Sequence, residues 1–446
     1  MLTLFGSPQK YCDGVNRRSF LKIGAFAFGA TNLTLADIFR AEASQKQTSP
    51  KAVINIFLGG GPPHQDTFDL KPEAPSEIRG EFKPISTAVN GIQIGECFPE
   101  IAKRMNDYAI IRSIVGSTGG HDAIQCTTGK PPRANANIGG WPSMGSLLSK
   151  VLGPGDPSVP PFVGLAAKTA HLPWSDCGGP GFLGAPYAAF KPEGPDLANM
   201  KLSTINQQSL GDRKELLTSF DNLRREIDAS GNIRGMDAAS ERALNVLTSS
   251  KLLDALDLSK EPESSRKRYG DGKPYQFQYD GAPTVNDQVL LARRLVEAGV
   301  RCVTLSFGRW DSHSKNFDLV RDHGRKLDQA LSALTDDLKQ RGMLNDVVVI
   351  AWGEMGRTPR INKEAGRDHW PQVCSAILAG GALRTGQVVG STDRLGENAK
   401  DRPVTHSEVF ATIYKAIGID PDSTMVLDPT GRPTHIVESQ VIRELV

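Results

Sequence analysis

The chain has 446 residues, 39% of them hydrophobic and 23% charged, with a formal net charge of +2. That length and apolar share suit one large α/β domain with an insertion, or two domains, and the near-neutral balance argues against a dedicated nucleic-acid binder, which would carry a basic stripe. No run of about 18 apolar residues occurs, so no transmembrane span is expected in the mature chain.

Near the N-terminus, Asn16-Arg17-Arg18-Ser19-Phe20-Leu21-Lys22 resembles the twin-arginine export motif. The apolar stretch Ile23 to Ala30 follows it, then Ala41-Glu42-Ala43 offers a small-x-small cleavage site. Residues 1–43 therefore read as a signal peptide, and the remainder as a periplasmic or extracellular protein. The five cysteines beyond it are widely spaced with no C-x-x-C, which disfavours a zinc knuckle, a dithiol site or a disulfide framework. Cys302 and Cys374, in strand-like runs, are expected to be buried thiols.

Residues 51–58 form the first predicted strand, 98–105 a short helix, and 108–114 a second strand. From Gly129 to about residue 200 the chain is rich in glycine and proline, and so much irregular chain reads as functional loop. Residues 212–257 are helical in pattern. Leu216, Leu217, Phe220, Leu223 and Ile227 share one face, and a second apolar set runs from Ala243 to Leu256, as in an inserted lid or helices packed on the sheet. The insertion as a whole is placed at 130–285. A helix follows over 286–298 with Gly299 as its stop, then a strand over 301–307 and a long amphipathic helix over 317–340. Strands over 347–352 and 375–378 come next. The last helix opens on the capping box Thr405-His406-Ser407-Glu408 and ends at Gly418. This alternation predicts an α/β three-layer sandwich with a central, mostly parallel sheet.

The chemistry-bearing residues gather where strands end. The first strand runs into Gly59-Gly60-Gly61-Pro62-Pro63-His64-Gln65-Asp66, the 301–307 strand into Gly308-Arg309-Trp310-Asp311-Ser312-His313, and the 347–352 strand into Gly353-Glu354-Met355-Gly356-Arg357. Ligands in open α/β sheets bind beyond the carboxyl ends of the strands. His64 with Asp66, Asp311 with His313, Glu354, and His369 from Arg367-Asp368-His369-Trp370 are therefore candidate metal ligands. Asp66 also suits a turn cap. Asp368 is an alternative partner that would orient a ligand. Mixed imidazole and carboxylate donors suit Zn or Mn better than Ca. Arg357 is a candidate anion clamp, or else an ion-pair partner of Glu354. His121, in Gly119-Gly120-His121-Asp122, is a candidate general acid, ligand or phosphate donor.

Five ordered motifs carry a resemblance: Gly59 to Pro72, Leu291 to Val300, Trp310-Asp311-Ser312-His313, Gly353 to Pro359, and Gly366 to Trp370. Together they resemble the secreted bacterial family called domain of unknown function 1501, of the alkaline-phosphatase-like clan that includes sulfatases. The resemblance implies an alkaline-phosphatase-like domain over 44–446 with a two-metal centre. By position it likens Asp66 to the clan's first-strand metal aspartate, and Asp311, His313, Glu354 and His369 to the later ligands. Thr118 or Ser117 falls where the clan places its nucleophile. Met355 stands where clan phosphatases have a metal-binding histidine. The formylglycine signature is absent, since Cys126-Thr127-Thr128-Gly129 does not fit it. The function expected is an exported hydrolase of a phosphate, sulfate or related ester, acting with one or two divalent ions on a small-molecule or polysaccharide substrate. The alternative is a catalytically degenerate binding or assembly protein on the same fold.

Overall fold

The computed structural model describes residues 51–166, 169, 171–192, 246, 249–273 and 286–446, all within one compact unit, Pro50–Val446. The predicted signal peptide and most of the 212–257 helical pattern lie outside the described residues. Eight strands form the main sheet: β1 Ala52–Phe57, β2 Tyr108–Val115, β3 Phe162–Gly164, β4 Cys302–Ser306, β5 Val347–Trp352, β6 Cys374–Gly380, β7 Gln387–Val389 and β8 Val404–Thr405. Their order is β7-β2-β6-β5-β1-β4-β3, with β8 also paired to β2.

All pairings are parallel except those of β6, which runs against both β2 and β5. The predicted mostly parallel sheet is therefore what forms, with the reversed β6 making it mixed. The carboxyl ends of β1, β2, β4 and β5 consequently share one edge, where the reversed β6 begins.

Side-chain alternation divides the core between the two faces of the sheet. Ile54, Ile56, Val303, Leu305, Val347 and Val349 pack on one side with α1 Pro99–Lys103, α4 Ser250–Leu256, α5 Glu263–Tyr269, α6 Asp287–Ala298 and α7 Asn316–Gln340. Val53, Phe57, Val348, Ile350 and Trp352 pack on the other with α2 Ile124–Thr128, α3 Met144–Val151 and α8 His406–Ala416. Each fully buried aliphatic side chain contributes roughly 1.5–3 kcal/mol. The one polar residue of β1, Asn55, is buried but satisfied. It donates to the Cys126 carbonyl at 3.0 Å and accepts from Trp352 Nε1 at 2.9 Å.

Helix boundaries follow their local signals. Gly299 takes the left-handed conformation that stops α6, and Thr405 with Glu408 forms the complete capping box of α8. The described cysteines are all buried and free. No helix among the described residues is long and apolar enough to cross a membrane.

Candidate metal centre

Four segments converge at the common strand edge. The loops after β1 and β4 lie against each other: Trp310 N–H donates to the Gly59 carbonyl at 2.7 Å. Gly60 has φ +100°, and a Cβ there would collide with the Asp311 backbone, so only glycine permits this approach. The loop after β5 joins them through Glu354, which accepts from Gly60 N–H at 2.9 Å. The segment after β2 brings His121, whose Nδ1 lies 2.9 Å from Glu354 Oε1.

His369 arrives differently. The connection between β5 and β6 folds back as a short ladder in which Arg357 pairs with His369. Arg367 N–H then donates to the Ser312 carbonyl at 2.8 Å, docking this segment on the Asp311–His313 loop. A Cβ at Gly366 would strike the His313 carbonyl.

The result is a cluster of His121, Asp311, His313 and His369 whose ligand atoms all lie within 4.8 Å of one another. The Nε2 atoms of His121, His313 and His369 stand 3.4, 3.1 and 3.6 Å from Asp311 Oδ1. In a tetrahedral site with bonds of about 2.1 Å, donor atoms are about 3.4 Å apart. The opposite ring nitrogens are each held by an acceptor: Glu354 for His121 at 2.9 Å, Asp368 for His313 at 2.7 Å, and the Gly119 carbonyl for His369 at 3.2 Å. Donation from Nδ1 turns each Nε2 to the centre, which is how metal-bound histidines are oriented. His369 Nε2 is buried without a hydrogen-bond partner. The residues present thus fit one divalent cation held by three imidazoles and a carboxylate, a donor set suited to Zn or Mn.

Burial alone would lower the His121 pKa, but its hydrogen bonds to Asp311 and Glu354 raise it to about 9. Burial would raise the Asp311 pKa; the His121 hydrogen bond and the Arg357 charge overcome this and hold the carboxyl well below its usual range. The His369 pKa is lowered, first by burial and then by Arg357. The His313 side chain is 47% exposed against 12% for Asp311, so the cluster opens to solvent on the His313 side.

Of the six candidate ligands, the structure brings Asp311, His313 and His369 together, and adds His121 from the catalytic candidates. Glu354 stands behind His121 instead of in the cluster. Asp66 and His64 are engaged elsewhere. Both Asp66 oxygens bind Arg367, at 2.6 and 3.0 Å, and Asn316 donates to Oδ2 at 2.7 Å. His64 is fully buried, with Nε2 bonded to the Gly396 carbonyl at 2.8 Å. The expected anion clamp, Arg357, is 0% exposed and bonded to Asp311 and to the Gly60, Gly61 and Arg367 carbonyls. Ser117 Oγ faces Cys374 Sγ at 3.9 Å, and Thr118 is exposed, its N–H donating to Gln125. Neither hydroxyl has a hydrogen bond to the four-residue cluster.

Three neighbours escaped sequence reasoning. His171 and Trp174 pack their rings against His121 at 5.6 and 5.3 Å, and Arg309 lies over Trp174 at 5.8 Å. Their only signal was the glycine- and proline-rich character of the loop around 171–174; Arg309 simply adjoins the Trp-Asp-Ser-His motif.

An α/β sandwich with a three-histidine, one-aspartate cluster at its strand edge is the class this fold and site define. Residues 50–446 match the family described as protein of unknown function (DUF1501), and the chain belongs to that family. No curated protein matches it. Among solved structures it is similar to the lipoteichoic acid synthase LtaP from Listeria monocytogenes, at 10% identity and TM-score 0.34, covering 83% of this chain and 72% of that one. It is similar to the PsFucS1 sulfatase from Pseudoalteromonas sp., at 14% identity and TM-score 0.34, covering 86% and 71%. It is also similar to a mutant of TAB5 alkaline phosphatase with Mg bound, at 10% identity and TM-score 0.34, covering 83% and 99%.

Proposed function

We propose that the protein is an exported, divalent-metal-dependent hydrolase of a phosphate, sulfate or related ester. The observation that carries this reading is the convergence of three imidazole Nε2 atoms on Asp311 Oδ1, each ring held from behind by its own acceptor. A Zn or Mn ion held by His121, Asp311, His313 and His369 would supply Lewis acidity to activate a water. The chain's own residues do the rest. Glu354, Asp368 and the Gly119 carbonyl fix the rings, and the exposed side at His313 admits the ester. His171, Trp174 and Arg309 line the cluster beside His121. With Ser117 turned to Cys374, we assign the attacking group to water in place of a side-chain hydroxyl.

The test is metal content of the purified mature protein, combined with a screen of phosphate and sulfate esters with and without chelator. Bound metal and chelator-sensitive hydrolysis are expected; a metal-free protein inert toward every ester sinks the reading. Among the described residues no hydroxyl is hydrogen-bonded to the cluster, which favours one other reading, a binding or assembly protein built on the same centre. Retained metal with no hydrolysis selects it. Export rests on Arg17-Arg18 and the apolar stretch after it. Replacing Arg17 and Arg18 by Lys should leave the chain in the cytoplasm, and unchanged export would remove this part of the proposal.

A further inference from the structure

The clan resemblance implies two metal ions, and the residues here fit one. We infer that the guanidinium of Arg357 takes the place of a second cation, so that each chain binds a single divalent ion. This rests on the metal-dependent reading above.

The second site lacks its ligands. Among the described residues, one cluster of three or more metal-ligating side chains occurs, and it is the cluster of His121, Asp311, His313 and His369. The aspartate that the resemblance likens to the first-strand ligand, Asp66, is sealed at 0% exposure with both oxygens on Arg367. Glu354 turns both oxygens to the Gly60 N–H and one of them also to His121. Met355, fully buried, holds the position of the clan's histidine and offers a thioether, a poor donor for a hard or borderline cation.

A positive charge is nevertheless present. Arg357 Nη2 lies 2.6 Å from Asp311 Oδ1 and also meets the Gly60 carbonyl. Its Nε donates to the Gly60 and Gly61 carbonyls at 3.0 and 3.2 Å, and Nη1 to the Arg367 carbonyl at 3.2 Å. A cation bridging two sites would seek this environment: backbone carbonyls at the end of β1 and a carboxylate already committed to the first ion. In two-metal enzymes the ions stand about 3.5–4 Å apart with ligands between them. Here the carboxylate oxygen on which the histidines converge, Asp311 Oδ1, already accepts from a guanidinium that is always charged and covalently fixed. A second ion would have to displace it and would meet its repulsion.

Stoichiometry decides the matter. The full-length protein, saturated with Mn and freed of excess, is analysed by elemental analysis and native mass spectrometry, and its Mn resonance spectrum is recorded. One ion per chain and the six-line spectrum of an isolated Mn centre are expected. Two ions per chain, or the spectrum of a coupled pair, would overturn the inference. Arg357→Gln removes the charge. In variant protein with an unchanged circular-dichroism spectrum it should load a second ion, and one ion there would remove the guanidinium from the explanation. The ester screen separates this outcome from the hydrolase reading. Two ions with hydrolysis overturn the inference alone, one ion without hydrolysis overturns the hydrolase alone, and no ion overturns both.

Discussion

Asp66 and Arg367 are both sealed from solvent, paired at 2.6 Å across some 300 residues of sequence. Arg367 also donates to the Ile78 carbonyl at 2.8 Å and to the Thr358 carbonyl at 3.0 Å. The pair therefore ties the first loop to the turn that carries His369. Truncating one partner of such a pair leaves a buried charge unanswered, which costs about 3–5 kcal/mol. Asp66→Ala is expected to lower unfolding stability by that amount in urea titration, while protein that remains folded still binds its metal. Loss of metal at full stability would instead make Asp66 a ligand. In sequence, Asp66 beside His64 reads as a ligand pair as readily as Asp311 beside His313. Spacing names the residue type at a strand end; it does not reveal that an arginine 301 positions away will reach one carboxylate and leave the other to the histidines.

At the scale of elements, the strands were legible because their β-branched runs are short, continuous and bounded by glycine, and α6 and α8 were legible from their stop and cap. The direction of β6 was not. Helix–strand alternation implies parallel crossovers, yet the β5–β6 connection contains no helix among its residues and returns antiparallel. That reversal places His369 at the site edge, ahead of its strand, where the other strands place their ligands after theirs. A second contact between elements is equally silent in sequence. Asp328, inside α7, accepts from the Glu100 and Ile101 N–H groups at 3.0 and 2.8 Å and so caps the start of α1. Burial raises its pKa to about 6 despite those bonds. The folded state thus binds this proton more tightly than the unfolded chain, so the contribution is fully present below the unfolded value near 4 and is lost as pH rises through 6. Asp328→Asn removes the titration. Its stability relative to the parent should rise between pH 4 and pH 7 by up to about 3 kcal/mol. Urea midpoints of both proteins at the two pH values measure this, and a pH-independent difference would refute it.

At the scale of the whole molecule, sheet, layers and site edge follow from the sequence because they depend on periodicity and on where strands stop. The set of ligands follows only in part. His121 was legible as a histidine after a strand, but whether it would be acid, ligand or donor depended on Glu354 and Asp311 meeting its two nitrogens. Arg357 was legible as a cation beside the site, and its burial was not, because the carbonyls that enclose it belong to the first loop.

The position of β1 has a consequence in time. It lies between β4 and β5, and Val53 pairs with Cys302 on one side and Val348 on the other. On a chain made from its N-terminus, the first strand synthesised waits through about 250 residues for one neighbour and about 300 for the next. His121 exists long before Asp311, and Asp311 before His369. The full set of four side chains therefore meets only after His369 has been made, and an ion held by all four, as proposed, would enter late in synthesis or after it.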